Sequence, residues 1–411
     1  MQMLNTDANF HFELLRALGV SRDRGADVAE VLDVAGKILP GDCESWYKQF
    51  NELAGHVRAS VDLRSDRHPV SIRNALFRAA TYYRTADFFL HGNPRDPRIR
   101  ETWKNAKECF DRAISLLAPP AQRIQIEGEG FHIPAILYRP SEDGQPRPTL
   151  LLFNGFDGSQ EEMLHQIGFP ALERGFNVLT FEGPGQPTVL REQGIGFIGE
   201  WERAVTPVMR YCEKLACVDA SRIALLGYSF GGFLAPRAAA FEHRLAAVVC
   251  VDGLFDVYEA FTGALSPELK RLLHEGKIND LNRAVAEAMT KSTNLRWAVE
   301  HGCWAFQVRT PYEFLERTRT MSMRGLAGQI QCPVLVCEAE DDRFFAGQPQ
   351  QLADALGPRA TYCKLTSADA AGEHCHVGAG DVVNRVVMDW LEDTFGACSP
   401  HLDHIAAHAV A

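Results

Sequence analysis

Between Ile72 and Phe89 the apolar side chains return every three or four positions, at Ile72, Leu76, Ala79, Tyr83, Ala86 and Phe89. That period places them on one stripe of an α-helix and predicts a helix with one buried face. The whole stretch 1–118 has this texture, with few strand signals. Pro94 and Pro97 interrupt it, an amphipathic pattern resumes over 99–117, and Ala118-Pro119-Pro120 stops it. A helical amino-terminal domain over 1–118 is therefore expected, with the remainder, 119–411, forming a second domain.

From Arg123 the period changes. Short runs rich in Val, Ile, Leu and Phe alternate with longer helical patterns, which is the pattern of a mostly parallel sheet covered by helices. Eight strands are expected, at 123–127, 132–138, 149–153, 177–181, 222–227, 246–251, 333–338 and 360–365, the first two forming an antiparallel start. Ser159 followed by Glu162 has the capping-box spacing that opens a helix, and Arg174-Gly175 closes it. The stretch 253–330 is too long for a simple crossover and carries helical patterns of its own, so it reads as an inserted helical cap. Helices over 347–356 and 382–395 complete the expected α/β fold.

Charge and composition narrow the function classes. The formal charge is −11 with no dense basic run, which disfavours a nucleic-acid or anionic-membrane surface. No apolar stretch approaches the ~18 residues of a membrane span, and the first residues, MQMLNTDANFHFEL, lack the parts of a secretory signal. The 11 cysteines lie mostly inside apolar patterns, as buried free thiols of a reducing compartment would. Cytoplasmic residence is expected.

One motif carries chemistry. Over 222–232 the chain reads RIALLGYSFGG, an apolar strand running through Gly227-Tyr228-Ser229-Phe230-Gly231 into a helix. This is the G-x-S-x-G turn that presents a serine nucleophile between strand and helix. A serine hydroxyl needs a base, and the base needs an orienting group, in the chain order Ser, acid, His. After the seventh strand stand Asp341 and Asp342, with Asp342 the preferred acid; after the eighth come His374 and His376, with His374 the preferred base. Two His at this spacing, with no companion ligand motif, make a poor zinc signature, and neither metal nor cofactor is expected. An oxyanion hole would take one N–H from Phe230 and one from Phe156 in the Asn154–Gly158 loop. Asp252 and the Glu182–Gln186 loop also stand at strand carboxyl ends, where such sheets bind ligands. Tyr82 and Tyr83 are the amino-terminal aromatics expected nearest a substrate.

NGFDGSQEEM, ALERGFNVLTFEGPGQPTVLRE, GYSFGGFLAPRAAAFE, DDRFFAGQPQ, AGEHCHVGA and YYRTADFFLHGNPRDPR together resemble the α/β-hydrolase family of fungal heptaketide-shortening hydrolases of the melanin pathway. The same family resembles 2,6-dihydroxypseudooxynicotine hydrolase and, more distantly, the fermentation-respiration switch esterase-like proteins. The resemblance covers nearly the whole chain. It implies an α/β-hydrolase fold with a helical lid, no cofactor, and the catalytic set Ser229, Asp342 and His374. It also implies hydrolysis of a carbon–carbon bond beside a ketone, or of an ester, in a small polyketide or aromatic substrate. Esterase, lactonase, acyl-transferring and cyclising variants stay open, as do a homodimer and a hydrolase-fold binding protein without activity.

Overall fold

A computed structural model describes residues 3–61, 67–263 and 265–396. The amino-terminal stretch forms five helices, α1 (Ala8–Gly19), α2 (Val28–Ala35), α3 (Cys43–Ala59), α4 (Pro69–Asp87) and α5 (Pro97–Ser115). Their starts follow from local chemistry. Asp7, Asp27, Asp42 and Asp96 each accept a hydrogen bond from a first-turn N–H, and Pro97 follows Asp96 where a missing N–H costs nothing.

Eight strands follow: β1 (Gln122–Glu127), β2 (His132–Tyr138), β3 (Arg147–Phe153), β4 (Asn177–Phe181), β5 (Val218–Tyr228), β6 (Ala247–Val251), β7 (Val334–Ala339) and β8 (Ala360–Leu365). They lie in one sheet in the order β1-β2-β4-β3-β5-β6-β7-β8. β2 runs antiparallel to both β1 and β4, and the remaining pairs are parallel. β4 and β6 are buried at every position, which is why they read as unbroken apolar runs instead of alternating ones.

Successive residues of a strand face opposite sides, so the sheet divides its side chains between two cores. Leu150, Leu152, Val178, Leu226 and Val249 join Phe10, Leu14, Trp46, Phe77 and Phe110 of the amino-terminal helices. Leu151, Leu179, Leu225 and Val248 face the other way, with Trp201, Phe233, Phe306 and Phe314. The amino-terminal helices thus share a continuous core with one face of the sheet. Between β6 and β7 stand helices Val257–Gly263, Pro267–His274, Ile278–Met289, Thr293–Ala305 and Pro311–Thr318.

The segment after Ser159 departs from the single expected helix. It runs as Gln160–Met163, a π-helical turn Leu164–Gly168, and Phe169–Glu173. Pro170 has no N–H for the Gln166 carbonyl, which accepts from Asn384 Nδ2 instead at 2.8 Å. The capping box is also only half made. Ser159 Oγ accepts from Glu162 N, and the Glu162 carboxylate turns away to Arg16.

Among the described residues no helix is long and apolar enough to cross a membrane, and the described cysteines are free thiols.

Candidate active site

β5 delivers Ser229 at its carboxyl end, in a left-handed conformation with φ 57° that a non-glycine residue holds only under constraint. The constraint is close backbone packing. A Cβ on Gly227 would stand 2.2 Å from Gly231 O, and one on Gly232 would stand 1.8 Å from Asp252 O. Ser229 N–H donates to Val251 O on the neighbouring strand. Ser229 stays half-buried, within reach of a ligand, while Phe230 behind it is 1% exposed.

Asp342, His374 and Ser229 come together as one hydrogen-bonded run. His374 Nδ1 lies 2.8 Å from Asp342 Oδ2, and His374 Nε2 lies 2.8 Å from Ser229 Oγ. A carboxylate only accepts, so Nδ1 carries the proton and the Nε2 lone pair faces the serine hydroxyl. Asp342 is fixed in turn, its Oδ1 accepting from the N–H groups of Phe344 at 2.7 Å and Phe345 at 3.2 Å. Burial opposes charge on His374, but the Asp342 carboxylate outweighs it and lifts the imidazole pKa above its ordinary value. For Asp342 burial is likewise outweighed, by His374 and these backbone donors, and its pKa is lowered.

The neighbouring alternatives point elsewhere. Asp341 is exposed and hydrogen-bonds Ser367 Oγ. His376 Nδ1 donates to Ala371 O at 2.8 Å, and its Nε2 stands 3.1 Å from Asp252 Oδ1. Asp252 is 0% exposed beneath this loop, where its Oδ2 accepts the Cys375 N–H at 2.9 Å. That burial corrects the expectation of Asp252 as a ligand contact. The carboxyl end of β6 is covered by the 374–376 loop, and Asp252 anchors the loop instead of meeting solvent. Ligand atoms of Asp252, His374 and Cys375 lie within 4.8 Å of one another. Each already has a protein partner, since Cys375 Sγ–H donates to Val251 O at 3.1 Å and His374 Nδ1 donates to Asp342.

The Asn154–Gly158 loop lies against the elbow so closely that a Cβ on Gly155 would stand 2.5 Å from Phe230 N. Asn154 Oδ1 accepts the Gly155 N–H at 2.7 Å, and Gln186 Nε2 donates to Asn154 O and reaches Gly155 O at 3.5 Å. Among the described residues neither the Phe156 nor the Phe230 N–H has a protein acceptor. Both belong to the two segments packed here, Phe230 directly after Ser229 and Phe156 directly after Gly155.

The surroundings are aromatic. Phe344 and Phe345 each stand 4.9 Å from the His374 ring, and Phe12 of α1 stands 6.4 Å from it. The Phe156 ring meets Phe261, Trp297 and Phe314 of the insert. The structure does not bring Tyr82 and Tyr83 to this place. Tyr82 is 0% exposed and its hydroxyl donates to Glu30 Oε2 at 2.7 Å, while Tyr83 lies in the same helical core beside Gly55. A helical apolar stripe marks residues that face a core, and here the core is that of the amino-terminal helices. A separate pocket, partly open to solvent, borders Asp157, Arg84, His91 and Trp103, and neither Ser229 nor His374 lines it.

Sequence reasoning did not single out Phe12 or Arg16. Arg16 of α1 grips Glu162 with Nε–Oε1 at 2.6 Å and Nη2–Oε2 at 2.7 Å, and reaches Asp157 Oδ1 at 3.0 Å. Arg84 stands 3.6 to 3.8 Å from Glu13, Asp157 and Glu162. Replacing Arg16 by Met leaves the buried Glu13 and the partly buried Asp157 and Glu162 carboxylates with Arg84 as their remaining cation. Breaking a buried ionic group from one side costs about 3–5 kcal/mol. Denaturant unfolding of Arg16→Met should show a loss of that size; an unchanged midpoint would show the network to be energetically idle.

Comparison with known proteins agrees with this architecture. The model of the Alpha/beta hydrolase family matches residues 150–386. The chain is 32% identical to 20-hydroxy-prefusarin hydrolase FUS2 of Gibberella moniliformis, over 94% of this chain and 96% of that one. It is 31% identical to Hydrolase LUC6 of a Fusarium species, with the same coverage. Among solved structures, 2,6-dihydroxy-pseudo-oxynicotine hydrolase superposes with a TM-score of 0.74 at 21% identity, covering 92% of this chain and 95% of that one. The family match over most of the sheet, together with these relatives along nearly the full length, makes this chain an enzyme of the alpha/beta hydrolase family.

Proposed function

We propose that this chain is a serine hydrolase that cleaves a carbon–carbon bond beside a ketone, or an ester, in an aromatic or polyketide substrate through an acyl-enzyme. The observation that carries the proposal is the run Asp342–His374–Ser229, with both links at 2.8 Å. Neutral His374 takes the Ser229 proton as Oγ attacks the carbonyl carbon. The oxyanion forms toward the N–H groups of Phe156 and Phe230. Collapse breaks the bond to the leaving group, and the His374 imidazolium returns its proton there, to an enolate carbon from a β-diketone or to an alkoxide from an ester. Water, deprotonated by the same imidazole, then releases the acid and frees Ser229. The relative named for 20-hydroxy-prefusarin supports a natural-product substrate. The rings of Phe12, Phe344, Phe345 and Phe156 favour a flat, apolar one.

We further propose that residues 1–118 and the insert 253–330 act as domain-scale lids that select this substrate; Phe12 and Phe261 are the residues through which each would reach it. The reaction class is tested by mass spectrometry of products from a panel of β-diketones and aryl esters in ¹⁸O-labelled water. Fragments with the label in the carboxylate are expected. An unlabelled cyclic acyl product beside the released leaving group would instead mean cyclisation.

The raised pKa of His374 gives a pH dependence with a definite sign. The base works only when neutral, so the rate climbs as pH rises through its pKa. Since that pKa is lifted above 6.5, kcat/KM should still be rising above pH 6.5. A plateau already reached below that pH would remove the Asp342–His374 ion pair from the account.

A further inference from the structure

The oxyanion loop is held from a second side by residues that stand outside the hydrolytic run. His301, on the insert helix Thr293–Ala305, donates Nε2–H to Phe156 O at 2.8 Å. Its Nδ1 lies 2.9 Å from Nδ1 of His91, and His91 Nε2 lies 2.6 Å from Asp87 Oδ1. Asp87 Oδ2 accepts from Arg191 Nη2 at 2.7 Å. The imidazoles of His91 and His301 are both 4% exposed. Asp87 closes α4, His91 follows it, and Arg191 belongs to the helix Pro187–Gln193. One buried chain therefore crosses from the amino-terminal helices through the insert to the loop beside Ser229.

We propose that Asp87, His91 and His301 are positioning residues that hold the Phe156 N–H in the direction an oxyanion needs. The Phe156 N–H lies in the Gly155–Phe156 peptide plane, and the following plane, which carries Phe156 O, constrains it through the backbone angles of Phe156. Gln186 Nε2 approaches the Gly155 carbonyl of the first plane, and in a trans peptide this sends the Phe156 N–H the opposite way. His301 holds the carbonyl of the second plane. With both planes anchored, the donor cannot swing away as charge develops, which is the preorganisation that gives such donors their catalytic value.

Proton counting fixes the chain's polarity. Three short contacts need three protons, and two neutral imidazoles beside a carboxylate supply two. His301 gives its Nε2–H to the carbonyl, so its Nδ1 lone pair accepts from His91 Nδ1–H. The third proton would lie in the 2.6 Å contact between His91 and Asp87, which is an ion pair only when His91 is protonated. Burial lowers the pKa of His91 and works against that charge. The Arg191 guanidinium, with Nη2 3.5 Å from His91 Nε2, also works against it, and the Asp87 carboxylate favours it. Packing keeps the members in register: Trp297 stacks on Phe88 at 4.7 Å and on His301 at 5.3 Å, and its Nε1–H donates to Phe88 O.

This inference rests on Ser229 being the nucleophile, and the test separates the two. A fluorophosphonate probe first establishes labelling of Ser229 in the wild type. With p-nitrophenyl acetate, His301→Ala should lower kcat about ten- to a hundredfold, with KM within about twofold. The affinity for phenylboronic acid, which builds a tetrahedral oxyanion on the serine, should fall by a similar factor. His301→Gln keeps an N–H for the Phe156 carbonyl and should recover most of the loss; Asp87→Asn, at the far end, should show a smaller fall confined to kcat. Unchanged kcat in folded His301→Ala, or a loss in KM alone, overturns the proposal. Nitrogen-15 spectra of the wild type decide it where a variant fails to fold or Ser229 is not labelled. His301 should be the Nε2–H tautomer and remain neutral at pH 5, because burial takes its pKa to about 3. An Nδ1–H tautomer overturns the proposal.

Discussion

Ser229→Ala is expected to lower turnover by about four to six orders of magnitude, leaving the rate that the oxyanion donors and substrate binding supply without a nucleophile. The size follows from where the serine sits. Its Oγ is the atom that His374 Nε2 addresses at 2.8 Å, and the other hydroxyl of the turn, on Tyr228, is buried in the core. Cys375 is the competing nucleophile, with Sγ 3.4 Å from the same Nε2. Burial raises its thiol pKa, the reverse of what an attacking cysteine needs, and its S–H is given to Val251 O. Cys375→Ala should therefore keep most of the activity. Steady-state rates on one activated ester compare both variants, and a larger loss in Cys375→Ala would exchange their roles. The alanine side chain is smaller than serine by one oxygen and fits the same turn, so the folded state should survive.

The second large effect separates adjacent candidates. His374→Ala should fall about as far as Ser229→Ala, because the members of such a set act as a unit. His376→Ala should lose at most about tenfold in rate, by loosening the loop that Asp252 holds, and should unfold at a lower temperature. Asp342→Asn should cost about 10⁴ in kcat, since an amide in place of the carboxylate no longer holds the Nδ1–H tautomer. Asp341→Asn alters an exposed carboxylate bonded to Ser367 and should stay near the wild-type rate. Comparable losses in His374→Ala and His376→Ala, with folding intact, would contradict the assignment.

Most of this frame could be read from the chain, for physical reasons that differ by element. The parallel strands were legible because strands covered on both faces become short unbroken apolar runs, as in β4 and β6. The elbow was legible because Gly227 has no room for a Cβ, a demand made within a few residues. Asp341 against Asp342, and His374 against His376, were separable only by preference, since neighbours in a loop share every local signal. Three dimensions separate them: Asp342 accepts two backbone N–H groups of its own turn, and its other oxygen faces His374. Asp252 stood at a strand end like a ligand contact, and nothing local told that the 374–376 loop would cover it. The contacts of Phe12, Arg16 and His301 were hidden for the same reason. Arg16 meets Glu162 across 146 residues and His301 meets Phe156 across 145, and no periodicity carries such pairs. The π-helical turn was masked by a capping signal that was sound at Ser159 and then overruled by Pro170.

The central claim is a covalent acyl-enzyme on Ser229, and trapping tests it most directly. The full chain is mixed with a slowly released aryl ester, quenched in acid during turnover, digested, and mapped by mass spectrometry. The account predicts the acyl mass on the peptide that carries Ser229, absent from Ser229→Ala and accumulating in step with the first release of the alcohol. Acyl mass on the peptide carrying Cys375, or full turnover with no adduct on any peptide, would contradict it.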